Sequence, residues 1–312
     1  MKQTKTRFHL YCPIVILFVF CGIFLELLFP ERIFAEAGSP DSVPKDKVPV
    51  IKQKLGGAWT GSVDLIGEYN PQGIDLSGGV DYRNSYRYSE EYETVSAYWQ
   101  TGVGLDINPS YVQPSVSGEW MPWLPIILRL QYDGYYFFGA NGGLLSFASP
   151  QEPFGDSARK ARKGTEETGF GQRLLFQPTV QLKAGSLILR NQSDVAWYRF
   201  PGRGPYFLEL EYDTLLKDGD HLFANRTQVL TEIGESKNGV TVIGPFYEVV
   251  HAEAANLIRK RLGLLWYTER GPKIGFFDTT RYFGQVGYDL EDPNRGHQVF
   301  FIIGVGGDFG MK

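Results

Sequence analysis

The stretch GAWTGSVDLIGEY (57–69), continued by QGIDLSGGVDYRNSY (72–86) and YETVSAYWQTGVGLDI (92–107), decides the fold. Taken by twos, Trp59, Gly61, Val63, Leu65, Gly67 and Tyr69 alternate with Thr60, Ser62, Asp64 and Glu68. Beyond Asn70 and Pro71, Ile74, Leu76, Gly78, Val80 and Tyr82 alternate with Asp75, Ser77, Asp81 and Arg83. A third run sets Val95, Ala97, Trp99, Val103, Leu105 and Ile107 against Thr94, Ser96, Gln100 and Asp106. Alternation of this kind puts one apolar and one polar face on an extended chain. The runs last roughly 12–15 residues, where ordinary strands have about five or six. Aromatics sit near their ends, and charge occupies the face that a soluble sandwich would bury. The expectation is an all-β chain: a transmembrane antiparallel β-barrel, apolar outside and polar within.

The N-terminus points the same way. Lys2, Lys5 and Arg7 precede an apolar core from Ile14 to Phe29, broken by Glu26, and Ala35-Glu36-Ala37 supplies the small residues of a cleavage site. The pattern is that of a secretory signal ending at Ala37, with an uncleaved anchor helix as the bland alternative. Both cysteines, Cys12 and Cys21, fall inside 1–37, which leaves the remainder without disulfides, thiolate metal sites or cysteine nucleophiles. A net charge of −4 argues against a nucleic-acid partner. After the signal no apolar run is long enough for a membrane helix.

Residues 38–56 are rich in Pro and Lys and read as a periplasmic leader, with a plug tucked into the lumen as the alternative; the barrel occupies 57–312. Strands are expected at 57–69, 72–86, 92–107, 112–120, 126–138, 169–183, 186–200, 220–234, 239–251, 257–269, 275–290 and 297–309. Residues 139–168 are aperiodic and form a long outer loop. The run YFLELEYDTLL (206–216) also has strand character. Counting it would give an odd number, whereas single-chain bacterial barrels have even strand numbers with both ends in the periplasm. Parity therefore demotes 201–219 to an extracellular loop, with a hairpin above the membrane. The count is about twelve strands, with fourteen as the alternative if a weak segment escapes the pattern.

The final run places Phe301, Ile303, Val305, Gly307 and Phe309 on one face. Here the chain resembles the outer-membrane β-barrel proteins of Gram-negative bacteria, which end on an alternating strand with a terminal aromatic read by the insertion machinery. Gly310, Met311 and Lys312 follow Phe309, a departure from that pattern. The resemblance is architectural and matches no single functional family. It implies residence in the cell outer membrane after export through the periplasm. It also implies contact with outer-membrane lipid and lipopolysaccharide, and insertion by the barrel-assembly machinery. Fold alone does not give function.

The inner face carries the chemistry. The first four strands direct Asp64, Glu68, Asp75, Asp81, Asp106 and Glu119 inward, and the next three direct Arg129, Arg173, Lys183 and Arg190, with Asp133 and Asp194 as exceptions. An acidic wall facing a basic one would set a transverse field across a small pore and filter polar or charged solutes. The bland alternative is that opposing charges pair and fill the barrel. The loop 139–168 resembles, in position, a loop that constricts porin channels. His221 and His251 would lie side by side at the outer rim among carboxylates, weak candidates for a lipid hydrolase; His297 is also at a strand end. No serine lies near them in sequence on the same side. The basic run Arg159-Lys160-Ala161-Arg162-Lys163 could meet lipopolysaccharide phosphates or be a solvated loop tip. No cofactor or metal is expected. The leading function is a small passive channel, with an outer-rim lipid-modifying hydrolase and a plugged structural or adhesive barrel as alternatives.

Overall fold

The period-2 pattern becomes a closed wall. A computed structural model describes residues 55–89, 94–200, 202, 204–233, 239–270 and 277–311. The expected signal (1–37) and nearly all of the leader (38–56) lie outside them. Among the described residues the long strands are β1 (Gly56–Tyr69), β2 (Gly73–Ser89), β3 (Thr94–Asn108), β4 (Tyr111–Trp123) and β5 (Ile126–Phe138). After an excursion come β7 (Thr168–Ala184), β8 (Leu187–Arg199), β11 (His221–Glu232), β12 (Gly239–Ala252), β13 (Leu257–Arg270), β14 (Thr279–Glu291) and β15 (Val299–Met311). Three short strands, β6 (Ser146–Phe147), β9 (Tyr206–Glu209) and β10 (Thr214–Lys217), and the helix α1 (Asp156–Ala161) belong to the excursions.

The twelve long strands form one antiparallel barrel in which each pairs with its neighbour in sequence, and β1 closes on β15 from Trp59↔Met311 to Tyr69↔Phe301. Closure satisfies every ladder and leaves no sheet edge, the condition for a strand structure in hydrocarbon. The expected count of twelve is the observed one. At the seam the Phe309 ring lies over Gly61, 2.3 Å from where a Cβ would stand, so a side chain at 61 would displace the ring. The last aromatic thus packs on the closing pair although three residues follow it.

The outer face is apolar with aromatic ends. Leu65, Leu76, Val103, Val116, Leu130 and Ile303 are exposed on it. Near the short-turn end Trp59, Tyr82 and Trp99 make a chain of rings with centroids 5.1 and 5.5 Å apart. Near the long-loop end Tyr136 meets Phe170 at 4.9 Å and Tyr69 meets Phe301 at 6.5 Å. A hydrocarbon band between two aromatic girdles is the exterior of a membrane barrel.

The excursions correct one expectation. Residues 206–217 are not a loop hairpin held above the wall. They pair as β9 and β10, add β6 from the 139–168 loop as a third strand, and turn their tip into the barrel mouth. Leu145, Phe147, Phe154, Leu208 and Leu215 form a core between the two excursions. A second core joins Phe207, Tyr212 and Leu216 to the inner wall at Tyr111, Tyr135, Tyr198 and Leu222. The inner face is therefore apolar at the loop end, because a folded plug is packed against it.

Candidate functional site: a plugged, charged lumen

The plug tip, Glu211-Tyr212-Asp213, is placed by charge. Arg173, 3% exposed, bonds Asp133 at 2.6 Å and also pairs with Glu211. The Tyr212 hydroxyl donates to Asp194 at 2.7 Å, and an Arg259 guanidinium N–H donates to the Tyr212 carbonyl. Asp213 pairs with Arg295, which also donates to Asn70 and, at 2.7 Å, to Asp156 of α1. Arg295 is 2% exposed and ties the β1–β2 turn, the helix, the plug and the β14–β15 loop together. Asp213 has φ +47°, a left-handed conformation that lets the tip reverse within four residues.

These contacts set the ionisation of the plug. Burial opposes the charge of Arg295, but its bonds to Asp156 and Asp213 prevail and hold the guanidinium above its usual range. The same Arg295 bond holds Asp156 below the usual carboxylate value. Glu209, buried beneath the tip and beside the Glu211 carboxylate, is pushed up from 4.5 to about 7, although the Tyr212 N–H bonds its charged form.

All the sequence-expected lumen residues share the inner face by strand parity, but they fall into different settings. Asp64 is bonded by Arg281 at 2.9 Å toward the short-turn end. Lys183 pairs with Glu232 at 2.6 Å, Arg190 donates to Gln192 at 2.9 Å, and Glu119 accepts from Tyr98. Asp81 lies against Gly102, where a Cβ would meet its carboxylate. Asp133 and Asp194, the two exceptions to the basic wall, are satisfied by Arg173 and by Gln177 and Tyr212. Part of the lumen is thus occupied by ion pairs and charge-assisted hydrogen bonds.

A cavity of about 840 Å³ remains between the plug tip and the β1–β5 wall, lined by Glu68, Asp75, Asp106, Tyr111, Arg129 and Glu211. A smaller one of about 270 Å³ lies on the other side of Glu211 and Tyr212, against Arg226, Arg259 and Arg261. There Arg226 and Arg259 share Glu248, at 2.8 and 3.3 Å, and Arg261 bonds Asp289 at 2.7 Å. These β11–β14 charges, like Arg295, are not placed in the lumen by the sequence pattern, from which Glu248 is expected only among the carboxylates near the rim histidines. The signal that could have shown the plug is Tyr135-Tyr136-Phe137-Phe138, where both faces of β5 turn aromatic.

The rim histidines do not converge. His251 lies opposite Phe223, while the carbonyl of His221 accepts the N–H of Glu253, so the two are offset by two residues instead of side by side. The His221 side chain stands 3.8 Å from Glu253 and is well exposed. His297 packs on Tyr288 with centroids 6.0 Å apart. Among the described residues no group of three His, Cys, Asp or Glu is set to hold a metal ion.

No protein-family model matches the chain, and no curated protein does. Among solved structures it is similar to an outer-membrane channel from Pseudomonas putida F1, with TM-score 0.42, 9% identity, and 86% of this chain and 100% of that one covered. It is similar to the β domain of the Bordetella autotransporter BrkA, with TM-score 0.39, 11% identity, and 82% and 100% covered. It is also similar to the KdgM porin in complex with disordered oligogalacturonate, with TM-score 0.36, 8% identity, and 79% and 98% covered. At these levels the likeness says nothing about function. By its own strand order the chain is a closed, twelve-stranded antiparallel barrel, carrying a folded plug.

Proposed function

We propose that the protein lies in an outer membrane as a small channel for a polar or charged solute, its mouth narrowed by the 206–217 hairpin. In that setting outer-membrane lipid and lipopolysaccharide meet the outer face and the loops, and the barrel-assembly machinery inserts the chain. The observation that carries it is the cavity of about 840 Å³ held open between charged walls inside the barrel. A space of this size lined by charged side chains holds water and is large enough to admit a small polar solute. A permanently sealed structural or adhesive barrel is the second reading, favoured by the two apolar cores that fix the plug.

Single-channel recording of the refolded chain separates the two. A channel gives small steady steps, and larger ones when residues 207–216 are replaced by a short Gly-Ser linker. Silence from both forms, each shown to be folded by heat-modifiable migration on gels, would overturn the channel reading.

A further inference from the structure

We infer that the larger lumen cavity is a binding site for an aliphatic oligoamine, an extended solute carrying two or more ammonium groups. The inference rests on the proposed channel and names its solute class. Most charges of the inner wall are paired: Arg173 with Asp133 and Glu211, Arg226 and Arg259 with Glu248, Arg261 with Asp289, and Arg281 with Asp64 and Asp308. Glu68, Asp75 and Asp106 are different. They line the cavity and make no ion pair among the described residues; the one cavity guanidinium likewise without a pair is Arg129. Arg159 and Arg173 also line the cavity but are engaged by Asp213, Asp133 and Glu211, so these carboxylates, partly desolvated and without an ion-pair partner, cost free energy that a bound cation would recover.

A second observation lies beside them. Gln113 is 5% exposed, lines the same cavity directly opposite Asp106 in the β3–β4 ladder, and its side-chain amide has no hydrogen-bond partner among the described residues. A buried amide is normally satisfied, so one bordering a cavity with no protein partner has its donors and acceptor free for a bound molecule. Its carbonyl would accept an ammonium N–H.

The spacing decides between an ion and an extended cation. Asp75 stands in register with Ile66 and Asp106 with Ser77, which sets Glu68, Asp75 and Asp106 on successive diagonals of β1, β2 and β3. Diagonal backbone positions in a sheet are about 7–8 Å apart, so the three carboxylates form an extended row along the wall. They do not form a metal-holding group. Ammonium groups separated by three or four methylenes match such steps, and the volume lies within the range of small-molecule sites, about 300–1,000 Å³.

Titration calorimetry on the full chain in detergent tests this without requiring conduction. Spermidine should bind, putrescine more weakly, and Mg²⁺ and succinate should give no comparable heat. The D75N/D106N double variant should lose at least tenfold in spermidine affinity. D64N, whose carboxylate belongs to the Arg281 pair, should keep it. Absence of spermidine heat with the wild-type chain, equal binding of Mg²⁺, or undiminished affinity in the folded double variant would each overturn the assignment. A silent barrel that binds spermidine removes the channel and keeps the site. A conducting barrel that does not bind it removes the site alone.

Discussion

Replacing Arg295 by Met should release the plug while leaving the barrel intact. Arg295 and Asp213 are each 2–3% exposed, and the guanidinium also holds Asp156 at 2.7 Å and Asn70. Methionine keeps the apolar stem and removes the fork, so Asp213 stays buried without its main partner. Breaking a buried pair on one side costs about 3–5 kcal/mol. Arg159, 3.7 Å from Asp213, retains part of the compensation. Roughly 2–3 kcal/mol then falls on the docked plug, a shift of roughly 30- to 150-fold in its docking equilibrium. None of these contacts belongs to the barrel ladder, so heat-modifiable migration should be unchanged. The assay is tryptic cleavage at Lys217, exposed at the end of β10, in reconstituted vesicles. Cleavage should quicken in R295M, and adding D213N should recover part of the protection, because the stranded carboxylate is then removed. Equal cleavage rates in wild-type and R295M would refute the tether.

Three more outcomes follow from the same contacts. Because Glu209 is raised from 4.5 to about 7 in the docked plug, its contribution to docking is full below pH 4.5 and is lost as pH rises through about 7. Cleavage at Lys217 should therefore quicken over that window, and E209Q should flatten the profile; a wild-type rate independent of pH would contradict it. Asp156 works in the opposite sense, losing its contribution only as pH falls below 3.8, outside that window. Leu130, exposed on the outer face between the girdles, should cost about 2–4 kcal/mol when changed to Arg if it meets the bilayer midplane, read from urea titration of folding into vesicles. Gly171 lies under Phe200, whose ring stands 2.1 Å from a built Cβ, so G171A should expel that ring from the plug core at about 1–3 kcal/mol. Unaltered protection of Lys217 in G171A would show that Phe200 does not help hold the plug.

The barrel was legible because membrane strands keep a strict two-residue period over long runs, and β3 shows it plainly from Trp99 to Ile107. Strand parity also places each expected inner charge. What the period could not show is which charges meet across the lumen. That depends on the plug, and Tyr206–Leu216 is too short to reveal whether its hairpin points out or in. Counting strands by parity correctly removed it from the wall but gave no reason to turn it inward. The reason lies in long-range partners: Arg295 reaches Asp213 across 82 positions and Asn70 across 225. The histidine pairing missed by two residues because hairpin register depends on a turn, and residues 234–238 of that turn lie outside the described ones. The signal and leader expectations lie outside them as well.

Site-directed labelling along β3 tests the central claim most directly. With Cys12 and Cys21 changed to serine the chain has no other cysteine. Single cysteines at Val103, Gly104, Leu105 and Asp106 then probe alternate faces. In vesicles, a membrane-impermeant maleimide should label G104C and D106C, which share the inner face, and leave V103C and L105C unreacted in lipid. Labelling without alternation, with V103C and L105C as reactive as D106C, would contradict a membrane-spanning barrel with a water-filled chamber.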